Sequence, residues 1–441
     1  MARIFPFRAW RYNPGKVNLQ DVVTQPYDKI SPSMQQGYYQ KSPYNLVRII
    51  LGLPELFDAQ SGETVYTRAA RDLEAWKTEG ILKQEPEPAI FAYAQRFRIP
   101  GTNEWAERRG FIALGQLHDY SEEVVFRHEQ TLSKPKADRL NLLLATRAHF
   151  GQIFMLYSDP AQSIESILYS DDSEPDATVM DEYEVEHKLW RVQDPATIQL
   201  AVAAMEDKKL IIADGHHRYE TALRYSKENA PKVTISHERS ASSLPQPAYP
   251  EAAVMMTFVN MDSDGLVILP THRVVHGLPS FDVTKFLEAA KTYFDVSPLA
   301  ETETTAITNL LKQQKGTTLA AITPAGNWLL KARPKAVATA LKDQPERQRQ
   351  LDVVQLHSLV LEQLLGLTPE SIRDQVNLRY LRDAGEAIEQ VQRGEANVTF
   401  LLNPVTMQQL REVAFAGDVM PQKSTDFFPK LLSGLTIYAL D

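Results

Sequence analysis

The sequence predicts a mixed α/β fold, and three observations carry that expectation. The run Leu210-Ile211-Ile212-Ala213 ends abruptly in Asp214-Gly215-His216-His217-Arg218 and passes at once into helical spacing, with Tyr219, Ala222, Leu223 and Tyr225 apolar. Apolar runs and helix-spaced segments alternate through the first half of the chain. The 441 residues, 43% hydrophobic and 23% charged, supply core material for two or three ordinary domains of the soluble globular class.

Taken in order, residues 1–50 are rich in proline and aromatics and read as ordered loops, because disordered chain carries fewer aromatics. Pro26 fixes the backbone before Tyr27 and Asp28. Val65, Ala69, Leu73 and Trp76 make one face of a helix over 64–79, stopped by Gly80. Residues 90–99 and 111–117 read as paired strands joined by a polar turn at 101–104. Arg127-His128-Glu129-Gln130-Thr131 then gathers two basic groups, a carboxylate and a hydroxyl just beyond a strand; a solvated loop explains that composition equally well.

A helix over 135–147, a strand over 152–157, a short helix over 164–169, an acidic loop over 171–182 and a strand over 185–192 follow. Asp194-Pro195 opens a helix to about Met205. Residues 237–250 are Ser- and Pro-rich and read as a linker or long loop. Beyond it, strands are expected at 252–259 and 266–269, the latter ending in Pro270-Thr271-His272-Arg273. Helices are expected at 283–293, 306–314, 353–365 and 384–392, and strands at 317–322, 328–332 and 398–402. Met420 to Lys430 keeps two lysines and two hydroxyls among prolines and aromatics, unlike a solvated tail. The linker divides the chain into a region 1–236, holding the Asp-Gly-His-His-Arg turn, and a second α/β region 251–441 expected to contribute to the same site.

The net charge of −9 argues against broad nucleic-acid binding. Cysteine is absent, which removes disulfides, thiolate metal sites and cysteine nucleophiles and fits the cytoplasm. The N-terminal sequence has no apolar core of signal-peptide length, and no run reaches the roughly 18 apolar residues of a membrane span. A homo-oligomer is compatible with all of this.

The strand-to-helix turn is the strongest candidate site. A helix N-terminus offers backbone N–H groups and a positive dipole end, which suit a phosphate. Gly215 lets the backbone approach a ligand, Arg218 can fork onto phosphate oxygens, and His216 and His217 can donate or carry a proton. The plainer alternative makes Asp214 only a helix N-cap. Phosphate-loop, dinucleotide and serine-hydrolase fingerprints are missing, and adjacent histidines lack zinc-protease spacing. A zinc site from His216 or His217 with His128 and His272 is the lesser reading. The fuller inventory is an anion clamp. Arg218, His216, His217, His128, Arg273, Lys423 and Lys430 supply donors, and Asp28, Glu129 and Asp214 supply carboxylates, the two sets phosphoryl transfer needs.

Pro6-Phe7-Arg8, Pro26-Tyr27-Asp28, His128-Glu129 with Thr131, Asp214-Gly215-His216-His217-Arg218, Thr271-His272-Arg273 and Lys423-Ser424-Thr425 with Pro429-Lys430 together resemble the domain-of-unknown-function family 1015, in family order. Gln25 departs from it where a second proline is common, and Gln130 falls at a variable position. The Asp-Gly-His-His-Arg turn also resembles the nucleotide-phosphate motif of free-serine kinases with the ParB/sulfiredoxin-like fold. The resemblance implies a nucleotide-binding core of that kind and an ATP-dependent, Mg2+-requiring kinase acting on a small hydroxyl compound, with free L-serine the leading acceptor. It places Gly215, His216, His217 and Arg218 on the ATP phosphates, Asp214 at the magnesium and the acceptor hydroxyl, and Glu129 or Asp28 as base. The alternatives are a ParB-like nucleotide switch without turnover and a metal-dependent phosphohydrolase.

Overall fold

The computed structural model describes residues 1–54, 62–129, 133–169, 173–230 and 244–440. Gln130 and Thr131 of the His128 segment, residues 171–172 of the acidic stretch and residues 237–243 of the Ser/Pro-rich stretch lie outside the described residues. The chain forms two compact units. The first comprises Met1–Phe126, Thr131–Val267 and Pro429–Asp441; the second comprises Arg127–Gln130 and Ile268–Phe428.

The mixed α/β expectation holds in both units. The first is built on a nine-stranded sheet. From one edge its strands are Val125–Phe126, Leu210–Asp214, Ile153–Tyr157, Ala253–Asn260, Trp105–Gln116, Ile90–Arg98, Glu186–Val192 and Ala177–Met180, with Ile4–Phe5 also paired to Trp105–Gln116. Leu210–Asp214 runs parallel to Val125–Phe126, and Ala253–Asn260 parallel to Ile153–Tyr157; the other pairs are antiparallel.

Helices Ser163–Leu168, Pro195–Met205 and His216–Asn229 cover one face. There Ile164, Ile198, Met205, Tyr219 and Ala222 pack against Phe111, Met155, Ile212 and Phe258. A second apolar cluster joins Val65–Thr78 through Ala69, Leu73 and Trp76 to Ile49, Leu142, Phe150 and Ile437. The Val65–Thr78 helix forms because its apolar residues fall on one side and Thr64 caps it, its hydroxyl accepting from Thr67 N.

The second unit has a six-stranded antiparallel sheet in the order Phe294–Leu299, Gly326–Ala332, Thr318–Thr323, Val398–Leu401, His272–Val275, Leu378–Leu381. Val274, Ile322 and Leu401 pack under Ile307, Leu311 and Ile388 of two helices. The helix expected over 353–365 begins as a short α-helix, Asp352–Gln355, and continues as a π-helix, Leu356–Leu364.

The division between units falls elsewhere than composition suggests. Ala253–Asn260 follows the Ser/Pro-rich stretch yet lies in the middle of the first sheet, where all eight of its residues are buried. Residues 429–441 also return to the first unit: Ser433 bridges Thr24, Ile437 bridges Trp10 and Tyr438 pairs with His149. Composition marks a loop; it does not say which sheet the next strand joins. Among the described residues no helix is long and apolar enough to cross a membrane.

Candidate functional site

The strand Leu210–Asp214 is buried through Ala213, and its register against Ile153–Tyr157 slips between Ile212 and Asp214. The slip turns the strand end and leaves Asp214 half-buried. Gly215 follows with φ 94°, a conformation that favours glycine, and it is Gly215 that occupies the N-cap of helix His216–Asn229. Asp214 is therefore not the cap, and no side chain caps Gly215.

Arg218, in the first turn of that helix, folds back over Gly215. A Cβ built on Gly215 would stand 2.9 Å from one of its terminal nitrogens and 3.0 Å from its Nε. The other terminal nitrogen lies 3.8 Å from Oδ1 of Asp28, on the short turn Tyr27–Lys29. Its Nε is buried without a hydrogen-bond partner among the described residues. A cation in the first turn opposes the helix dipole, and this first turn holds no acidic residue to offset it.

Lys430 Nζ donates to Asp214 Oδ2 at 3.1 Å across 216 residues of sequence. Burial pushes the Asp214 carboxyl up, but Lys430, Arg218 and Lys29 together outweigh it and hold the group well below the usual carboxylate range. Beside Arg218 a cleft of about 60 Å³ is lined by Tyr27, Ile50, Leu143, Phe150 and Ser433 among others, and Arg139 stacks on Tyr27 with its guanidinium carbon 4.1 Å from the ring centroid. His216 is buried and His217 half-buried on successive helix positions, so their side chains diverge.

Of the residues singled out from sequence, Asp28, Asp214, Gly215, His216, His217, Arg218 and Lys430 lie in the first unit. His128, Glu129, Arg273 and Lys423 lie in the second. There Glu129 Oε1 accepts from Thr425 N at 3.0 Å and Thr425 Oγ1 at 3.1 Å. Since that hydroxyl hydrogen goes to Glu129, His128 Nε2, 2.8 Å from Thr425 Oγ1, is the donor to it. Arg273 is fully buried. Its Nε donates to His357 Nε2 at 3.1 Å, its terminal nitrogens reach the carbonyls of Thr271 and Lys423, and it lies over the Tyr380 ring. Burial pushes this guanidinium down to about 10. Lys423 has φ 58° and an exposed side chain.

The arrangement in the first unit suits an anion. Lys430, Arg218 and Lys29 all act on the Asp214 carboxylate at a helix N-terminus, an environment that does not fit a divalent cation held by Asp214 alone. Among the described residues no group of three or more His, Asp or Glu is placed to hold a metal ion. Sequence reasoning missed Lys29, whose charge acts on Asp214, and Arg139 on Tyr27. Neither carries a pattern to distinguish it from an ordinary surface cation.

A strand, a left-handed glycine and an inward-folded arginine at a helix N-terminus make up the turn of this α/β protein. The chain belongs to the family described as Protein of unknown function (DUF1015), whose profile matches residues 4–354. No curated protein matches it. Among solved structures it is similar to a conserved hypothetical protein from Pyrococcus furiosus (13% identity over 71% of this chain and 92% of that one, TM-score 0.35). It is also similar to a free serine kinase in complex with AMP (12%, 71% and 89%, TM-score 0.34) and to SbnI with C-terminal truncation from Staphylococcus aureus (11%, 75% and 87%, TM-score 0.38). At this distance, activity has to be read from the site itself.

Proposed function

We propose that the protein is a nucleotide-dependent phosphotransferase that moves the γ-phosphoryl group of ATP to the hydroxyl of a small molecule, with free L-serine the leading acceptor. One observation carries the reading: Arg218 folded over Gly215 at the N-terminus of helix His216–Asn229, with Lys430 and Lys29 acting on the adjacent Asp214. Backbone N–H groups of the first turn and the Arg218 guanidinium take phosphate oxygens, and the nucleotide supplies the anion this first turn lacks. Magnesium enters with the phosphates rather than as a guest of Asp214.

Asp214 stays ionised at neutral pH and is too weak a base to remove a hydroxyl proton early. It suits orienting the acceptor hydroxyl, which is what a loose phosphoryl-transfer transition state requires. Asp28 steadies Arg218, and His217 is the nearby group able to carry a proton. Glu129 belongs to the second unit, where one of its oxygens accepts from Thr425. The test is incubation of the protein with ATP, Mg2+ and a panel of hydroxyl amino acids, read by mass spectrometry. No phosphorylated product from any acceptor sinks the kinase reading. The second reading, a nucleotide switch, is favoured by the engagement of Asp214 with Lys430, and tight ATP binding without transfer selects it.

A further inference from the structure

A buried hydrogen-bond chain crosses the sheet of the first unit away from the turn. Gln95 and Arg108 sit on neighbouring strands, each 1% exposed. Arg108 donates from Nε to Gln95 Oε1 at 3.1 Å and from a terminal nitrogen to Pro429 O at 2.6 Å. Gln95 Nε2 donates to Lys430 O at 2.8 Å and lies 3.3 Å from His187 Nδ1. Tyr93 Oη is 2.6 Å from the same Nδ1, and His187 Nε2 is 3.2 Å from Asp181 Oδ2, which also accepts from Gln25 Nε2 at 2.9 Å.

The polarity of the chain follows from its one member that can only donate. Arg108 has no acceptor atom, so the oxygen of Gln95 faces it and the amide nitrogen faces Lys430 O and His187. His187 Nδ1 then accepts, from Gln95 and from the Tyr93 hydroxyl, and the ring proton sits on Nε2, aimed at Asp181. Flipping the Gln95 amide, or moving the His187 proton to Nδ1, would leave a buried donor facing a donor. The two ends of the chain are the segments that bear on the turn: Pro429-Lys430, whose amine reaches Asp214, and Gln25, three residues before Asp28.

We infer that Gln95 and Arg108 are positioning residues: by holding the carbonyls of Pro429 and Lys430 they set the Lys430 amine against Asp214. The Lys430 carbonyl is pinned from below while its side chain extends to the strand end, so the reach of the amine is decided by the backbone anchor. The consequence for phosphate binding rests on the function proposed above; the positioning itself does not.

The direct readout is the acylation rate of the Lys430 amine by acetic anhydride in the intact protein, followed by peptide mass spectrometry. Gln95→Leu removes the donor to Lys430 O and is expected to raise that rate about fivefold, the shift that loss of one buried hydrogen bond gives a local equilibrium. Arg108→Lys, which keeps one donor for this anchor, falls between wild type and Arg108→Met. Met205→Ala, in the core on the opposite sheet face, lowers melting without touching the chain and leaves the Lys430 rate at the wild-type value. A folded Gln95→Leu protein whose Lys430 rate equals wild type overturns the inference, as does an equal rise in Met205→Ala. Should Gln95→Leu fail to fold, the two Arg108 variants decide in the same way. ATP affinity is measured in parallel. Faster labelling with no ATP binding in any variant removes the nucleotide reading and keeps the positioning; ATP binding with unchanged labelling does the reverse.

Discussion

Gly215 has no room for a side chain because Arg218 occupies it: a Cβ there would lie 2.9 Å from a guanidinium nitrogen. Gly215→Ala meets two penalties of different kinds. Arg218 is the end of a flexible side chain and can move, whereas φ 94° strains any residue with a Cβ. The variant is expected to lose roughly 1–3 kcal/mol of stability, the usual cost of holding a non-glycine residue in such a region. If that strain is the cause, most of the loss persists when Arg218→Ala is added. Urea denaturation of both proteins measures it; full recovery in the double variant would assign the loss to the clash instead.

Asp214→Asn removes the carboxylate while Lys430 stays behind, 91% buried. The variant is expected to melt below wild type at neutral pH, since it takes the ionised carboxylate away from a buried cation. The pH window follows from the depressed carboxyl. The unfolded Asp titrates near 3.9 and the folded one below it, so the stability from the pair is complete above about pH 4 and is lost as pH falls further. The difference in melting temperature between the two proteins should be flat from neutral pH to about 5 and close below about 4. A constant difference down to pH 3 would contradict the assignment.

For Arg218 the readout is ATP affinity by calorimetry. Arg218→Ala is expected to weaken ATP binding at least about tenfold, the scale of one or two charge-assisted hydrogen bonds. Arg218→Lys restores part, because lysine keeps the charge without the planar fork. Equal affinity in all three proteins would move the phosphates off this turn.

In the second unit His272 is 1% exposed with neither ring nitrogen hydrogen-bonded among the described residues. Burial and the neighbouring Arg273 push it down to about 4. Below about pH 6.5 the unfolded histidine takes up a proton that the folded one refuses, so stability falls as pH drops towards 4. Asp352, pushed up to about 6 by burial, titrates with the opposite sign. The comparison is therefore wild type against His272→Leu, which should lose less stability between pH 6.5 and 4.5 in guanidinium titrations. Parallel slopes would remove His272 from the acid response.

Local pattern carried far in this chain. The helix expected at 384–392 is Ala384–Gln392, and the Asp214 turn has the strand, glycine and helix order its residues demand. These features depend on neighbours within one turn of chain, so the sequence displays them directly. The partners of Asp214 were less legible: Lys430 was one cation among several candidates, and nothing in spacing sets it 3.1 Å from that carboxylate rather than beside Glu129. Arg273 shows the converse. As a strand-end arginine it looked like a ligand donor, but the structure spends its hydrogens on His357 and backbone carbonyls, a use that becomes visible only when residues 271, 357 and 423 are brought together.

Because Pro429–Asp441 belongs to the unit that begins at Met1, the order of synthesis and the order of assembly cannot coincide. While the ribosome is still making the second unit, Thr24, Trp10 and the buried Arg108 wait for partners not yet translated. The first unit therefore closes only after residues 429–440 leave the exit tunnel. A chain stalled or clipped before Pro429 should accumulate with that sheet face uncovered, a substrate for chaperones and proteases, even if every residue of the Asp-Gly-His-His-Arg turn has been made.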